Sequence, residues 1–209
     1  MKKYEIFRYG ILRRLRRGID ITIYLTFKCQ LDCEYCVAKK PTGRFLLEIK
    51  EKSIKELKKF VAEIEMCLSP FRLREIRVSG GGPEMHPDFA KFVNWLLNQG
   101  YFVQVYTNLM NFRKLNLLKP TCRLMICSTF HHSSNKMRFI NNYYTLKEKY
   151  RIKVDEIIEN PEDKQLNFSK GKDFCTIQDM KDNRLMLRVA PNLKAFTNCY
   201  DIYDIKKYK

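Results

Sequence analysis

The chain has 209 residues, 45% hydrophobic and 30% charged, with 40 Lys and Arg against 23 Asp and Glu for a formal net charge of +17. That length buries one substantial core and falls short of two ordinary domains plus a linker, so a single globular unit is expected. No apolar run reaches a bilayer-spanning length, and no apolar h-region follows the basic start (Lys2, Lys3 and "LRRLRRG" at 12–18), so a membrane-integral or secreted protein is not expected and the cytoplasm is the default.

In chain order, residues 1–18 form a basic N-terminal segment. Residues 19–27, "IDITIYLTF", set Ile19, Ile21, Ile23, Leu25 and Phe27 against Asp20, Thr22, Tyr24 and Thr26, and this period of two predicts a strand. The loop that follows carries Cys29, Cys33 and Cys36. Residues 53–68 place Ile54, Leu57, Val61, Ile64 and Leu68 at helical spacing, with Ser53 and Glu56 as a capping box. "REIRVSGGG" at 74–82 predicts a second strand ending in glycines, and 87–100 a helix stopped by Gly100. Then come a third strand at 101–108, a short helical stretch around Phe112, Leu115 and Leu118, a fourth strand at 122–132, a helix at 136–149 and a fifth strand at 151–160.

Strands alternating with helices predict βαβ units and a parallel sheet, and five or six right-handed units curl toward an open barrel. From 161 the rhythm changes. Residues 161–173 predict a polar loop, and "RLMLRVAPNLKAFTNC" at 184–199 predicts two short strands, a β-hairpin, around a Pro191-Asn192 turn. The expected organisation is α/β: a core barrel over 19–160 and a C-terminal extension over 161–209 that completes or caps it.

Loops after the strand C-termini of a parallel sheet gather on one face, where active sites form. That face collects Cys29, Cys33 and Cys36; Gly80, Gly81, Gly82, Pro83 and Glu84; Thr107 and Asn108; Ser128, His131 and His132; and Glu159 and Asn160. Eight cysteines without an export signal point to reduced thiols and to metal or redox chemistry. The C-x3-C-x2-C spacing suits three irons of a cubane iron-sulfur cluster whose fourth iron stays open to a ligand. Zinc is the rival metal, but its closed structural sites want four ligands, typically as two C-x2-C pairs, and here only Cys33 and Cys36 form one. The glycines let backbone approach a ligand closely, or simply make a tight turn.

"CQLDCEYC", with Tyr35 just before the third cysteine, and "SGGGPEMHPDF" resemble the radical S-adenosylmethionine (radical SAM) superfamily, over residues 19–160. The resemblance implies a partial (βα)6 barrel with a 4Fe-4S cluster on Cys29, Cys33 and Cys36. The open iron would chelate the amino and carboxylate groups of S-adenosyl-L-methionine, whose reductive cleavage gives a 5'-deoxyadenosyl radical that abstracts hydrogen from a substrate. It also implies that the Tyr35 backbone lies along the adenine, that Gly80, Gly81 and Gly82 receive the methionine amino group, and that Thr107, Asn108 and Ser128 contact ribose and carboxylate. The usual order is Gly-Gly-Glu-Pro, whereas this chain reads Gly-Gly-Pro-Glu; either Glu84 still reaches the amino group or Pro83 leaves backbone carbonyls to do so.

His131 and His132 read either as a strand-end pair satisfied by backbone or water, or as substrate-binding or proton-transfer groups. Glu159 is either an anchor for a cationic group or a solvated loop acid. Cys175 and Cys199 are too few for a full second cluster unless Cys122 or Cys127 also contributes, and otherwise these four, like Cys67, are buried or idle thiols. The segment "RVAPNLKAFTNC" resembles the hairpin of auxiliary-cluster domains in related maturases, which keeps a peptide-modifying enzyme open. The positive charge suits an anionic substrate such as a nucleotide or RNA, and equally an acidic flavodoxin or ferredoxin as electron donor. A basic nucleic-acid-binding protein with a structural cluster is the non-enzymatic alternative, against which the glycine-rich loop argues.

Overall fold

The computed structural model describes residues 19–33, 51–69, 72–158, 174–176 and 187–189. The strands are β1 (Ile19–Thr26), β2 (Leu73–Gly80), β3 (Phe102–Thr107), β4 (Leu124–Phe130), β5 (Arg151–Ile158), β6 (Phe174–Thr176) and β7 (Leu187–Val189). The helices are α1 (Ile54–Leu68), α2 (Phe89–Asn98), α3 (Phe112–Leu115) and α4 (Lys136–Lys147), with a single 3-10 turn at Pro83–Met85. All pairings are parallel, in the order β6-β5-β4-β3-β2-β1-β7. This is the parallel α/β architecture expected, an open sheet consistent with a partial barrel. The pieces of 161–209 that are described, β6 and β7, add one strand to each edge, and the second strand of the expected hairpin lies outside the described residues.

Each strand between β1 and β5 has two unlike faces. Ile21, Ile23, Leu25, Ile76, Val78, Val103, Val105, Leu124, Ile126 and Val154 turn to the helices and join one core with Leu57, Val61 and Ile64 of α1, Phe89, Phe92, Val93 and Leu96 of α2, and Phe139 and Leu146 of α4. Removing that surface from water is the main force holding helices to sheet. The alternate residues form the other face: Thr22 and Tyr24, Arg77 and Ser79, Gln104 and Tyr106, Cys127 and Thr129, Lys153 and Asp155 stand side by side across the strands. A parallel sheet covered by helices on both sides would be apolar on both faces; this one is polar where the helices are not. The Ser53 capping box at the start of α1 forms as expected, with Ser53 N donating to Glu56 Oε2 at 2.9 Å. Among the described residues no helix is long and apolar enough to cross a membrane.

The ends of β1 and β2 are joined unusually closely. The β1–β2 register shifts between Tyr24 and Thr26, and beyond it Gly81 N donates to Thr26 O (2.9 Å) and Gly82 N to Lys28 O (2.8 Å). Such an irregularity re-aims a strand end. A Cβ on Gly80 would stand 2.1 Å from Thr26 O, and one on Gly81 would stand 2.5 Å from Lys28 O and 2.6 Å from Phe27 O. Gly80 also has φ +145°, which side-chain-bearing residues rarely adopt. The backbone that opens the cysteine loop is thus fixed against the backbone that leads to Glu84.

This contact makes a graded prediction. Gly80→Ala and Gly81→Ala each push a methyl into backbone that cannot yield and should cost about 3 kcal/mol or more. Gly82→Ala meets chiefly the movable end of Gln30, 2.6 Å from its Oε1, and should cost about 1 kcal/mol or less. Urea midpoints at unchanged slope measure the difference; equal losses at all three positions would refute the backbone contact.

Candidate active site

The cysteine loop leaves β1 beneath a polar clamp. Glu51 accepts from Thr26 Oγ1 at 2.9 Å and pairs with Lys28 Nζ at 3.2 Å. Burial alone would raise the Glu51 carboxyl, but the bonds from Thr26 and Lys28 outweigh it and hold the pKa below the usual carboxylate range.

Of the three expected ligands, Cys29 and Cys33 are described, and Cys36 and Tyr35 lie outside the described residues. Cys29 Sγ receives Leu31 N at 3.4 Å and Asn108 Nδ2 at 3.6 Å. Cys33 is buried, with Ser133 Oγ 3.2 Å and His131 Nδ1 3.6 Å from its sulfur. Without Cys36, no group of three or more His, Cys, Asp or Glu among the described residues could hold a metal ion. Cys122 is exposed before β4, whereas Cys127 is buried on the polar face within it, where burial first and Asp155 second push its thiol up to about 11. Cys175 is described only as backbone in β6, and Cys199 lies outside the described residues.

Glu84 sits in the 3-10 turn and is 0% exposed, with Pro83 buried beside it. Its Oε1 accepts from Thr107 Oγ1 (3.2 Å) and Gln30 Nε2 (3.4 Å), while Oε2 is buried with no partner among the described residues. Burial raises the Glu84 pKa, and the hydrogen bonds it receives offset this only in part. An orphaned carboxylate oxygen is costly in a protein interior and would be satisfied by a cationic group. The Gly81 and Gly82 N–H groups bond to Thr26 O and Lys28 O, and an ammonium, which only donates, needs acceptors such as carbonyls and Glu84.

The remaining expected residues separate by strand parity. Thr107 reaches Glu84, and Asn108 reaches Cys29 and Gln30 Oε1 (3.4 Å). Ser128 is 0% exposed and donates to Lys153 O at 2.9 Å, in the helix-facing layer beside its register partner Thr107. His131 turns to Cys33; burial, with His132 adding to it, pushes its pKa down to about 4, so the ring is neutral near pH 7. His132 turns the opposite way, its Nε2 lying 3.1 Å from Glu156 Oε1 and its ring 5.8 Å from Phe130. Glu159 and Asn160 lie outside the described residues. Four polar residues at this end were missed from sequence: Gln30, Glu51, Ser133 and Glu156. Only Glu156 left a usable signal, because it falls in phase with the apolar Ile152 and Val154 and a buried carboxylate there needs a partner.

No family model and no curated protein matches this sequence. Among solved structures, the chain resembles Streptococcus suis SuiB bound to precursor peptide SuiA, with a TM-score of 0.53 and 13% identity over 77% of this chain and 39% of that one. SuiB bound to S-adenosylmethionine matches over the same shares, at a TM-score of 0.50 and 13% identity. SuiB alone gives 0.51 and 14% identity over 75% and 39%. The likeness is one of fold, and this chain spans 39% of the length of the SuiB chains it matches.

Glu84→Gln tests the buried carboxyl. A carboxyl whose pKa is raised on folding binds more protons folded than unfolded, so its contribution is intact below the unfolded pKa and is lost as pH rises through the folded one. The stability of the Gln variant relative to the native chain should therefore be constant in acid and climb as pH rises out of the ordinary carboxylate range. Parallel urea-stability profiles against pH would show that Glu84 is not perturbed.

Proposed function

We infer that this chain, which has the radical SAM fold, is a radical SAM enzyme whose 4Fe-4S cluster is held by Cys29, Cys33 and Cys36 and whose cosubstrate is S-adenosyl-L-methionine. The observation that carries this reading is the backbone contact of Gly81 and Gly82 with Thr26 and Lys28. It sets a cysteine loop beside a buried carboxylate with an unsatisfied oxygen. A structural metal site needs the cysteines but has no use for that carboxylate.

The donor set fits the group. Cys29 Sγ receives N–H donors and Cys33 Sγ lies beside a hydroxyl able to donate, surroundings that suit thiolate sulfur. When bound, the cluster supplies the electron that cleaves S-adenosyl-L-methionine and so provides the 5'-deoxyadenosyl radical for hydrogen abstraction. The protein's own part is placement. Glu84, oriented by Thr107 and Gln30, would hold the cationic amino group through Oε2, the role that the Gly-Gly-Pro-Glu order left open. The bonds from Glu51 to Thr26 and Lys28 would hold the end of β1, from which the cysteine motif departs.

The polar sheet face favours a neutral or zwitterionic substrate region inside the barrel. Its charges neutralise one another: Arg77 pairs with Glu75 (2.8 Å) and approaches Asp20 (3.7 Å), and Lys153 pairs with Asp155 (2.9 Å). The +17 excess would then act from outside the barrel, on an acidic flavodoxin or ferredoxin or on a polyanion that docks there. Because SuiB binds a precursor peptide in the same fold, a peptide is the first substrate class to try.

Anaerobic reconstitution should load about four irons per chain, and dithionite with S-adenosyl-L-methionine should release 5'-deoxyadenosine. Cys29→Ala, Cys33→Ala and Cys36→Ala should each abolish the product. A chain that binds iron, never forms 5'-deoxyadenosine and retains nucleic acid would instead be the basic iron-sulfur binding protein.

A further inference from the structure

Two loops outside the cysteine motif bring donors to its sulfurs, and both are held rigidly. The first follows β3. Leu109 is completely buried at φ +59°, a conformation uncommon for a bulky residue and kept only where the surroundings enforce it. Here α4 enforces it, with Asn142 Nδ2 donating to Leu109 O at 2.7 Å and Arg138 to Met110 O at 2.8 Å. Asn108 Oδ1 accepts from Met110 N at 3.0 Å, a bond that only an oxygen can receive. This fixes which way the carboxamide faces and aims its NH2 at Cys29 Sγ.

The second loop follows β4. His131 O accepts from Ser134 N (2.8 Å) and Ser134 Oγ (2.6 Å), closing a turn that presents Ser133 Oγ and His131 Nδ1 to Cys33 Sγ. A cysteine that ligates iron is a thiolate and accepts hydrogen bonds without donating them. Ser133 must then be the donor in its contact.

We propose that Asn108 and Ser133, supported by His131, are positioning residues that hydrogen-bond the ligand sulfurs of Cys29 and Cys33 and raise the reduction potential of the cluster. This rests on the radical SAM reading above. Hydrogen bonds to ligand sulfur draw electron density off the cluster and stabilise its reduced, more negative state. The two donors come from separate loops and act on separate ligands, so their effects should add.

The test is the cluster midpoint potential, followed by electron paramagnetic resonance in a redox titration without S-adenosyl-L-methionine, with iron per chain measured on the same samples. Ser133→Ala deletes one hydroxyl, and Ser133→Thr restores it. Asn108→Asp keeps the acceptor for Met110 N but removes the NH2 donor, and the neutral Asn108→Ala, which removes the donor without adding charge, must lower the potential as well. The potential should fall in Ser133→Ala and in Asn108→Asp, fall further in the double variant, and stay native in Ser133→Thr, all with native iron content. Native iron content with unchanged potentials in Ser133→Ala and Asn108→Asp would overturn the proposal and leave the radical SAM reading standing. An equal fall in Ser133→Thr and Ser133→Ala would also overturn it, since packing and not the hydroxyl would be responsible. Failure of the native chain itself to load iron would sink the radical SAM reading, and this inference with it.

Discussion

The arrangement depends on two strand ends brought closer than side chains allow. Backbone oxygens of Thr26, Phe27 and Lys28 occupy the space where Cβ atoms of Gly80 and Gly81 would stand, and the N–H groups of Gly81 and Gly82 bond to two of them. The glycines of this motif thus serve the protein's own backbone before any ligand. Because β1 opens into the cysteine loop and β2 into the turn bearing Glu84, that one contact fixes the separation of the sulfur and carboxylate halves of the site. Gln30 spans the halves, with Nε2 on Glu84 and Oε1 accepting from Asn108.

Much of the scaffold was legible because burial repeats with the period of each element. The Ser53–Glu56 box, the apolar stripe of α1 and the buried Ile21, Ile23 and Leu25 of β1 appear where the pattern put them, whereas Thr22 and Thr26 are buried too and Phe27 falls beyond the strand. Strand β6 escaped because three residues in polar surroundings carry too little alternation to read. The histidine pair shows a signal that was present and unused: neighbours at a strand end point to opposite faces, so His131 and His132 could not both meet the cysteines. The β3 loop gave no warning, because a leucine at positive φ breaks the rule that glycine or asparagine marks such a position. Only the packing of Arg138 and Asn142 on that loop explains how Leu109 is held there.

Polarity is divided between the two faces of the sheet. Toward the helices the layer is apolar except near the C-terminal rim, where Thr107, Ser128 and Glu156 each have a defined partner. On the opposite face the charges are paired internally, and burial pushes the Tyr106 hydroxyl up to about 12, so that it stays protonated. A lining of neutral and paired groups can hold a polar substrate by hydrogen bonds without placing a strong unpaired charge beside the reacting centre.

The central claim is that one nucleoside sulfonium is chelated at the iron left open by the three cysteines, next to Glu84. Electron–nuclear double resonance on the reduced protein, with S-adenosyl-L-methionine carrying 15N in the amino group or 17O in the carboxylate, tests it directly. The account predicts resolved coupling from both labels to the cluster spin. A reduced cluster with its full spin signal, saturating S-adenosyl-L-methionine and no coupling from either label would contradict it.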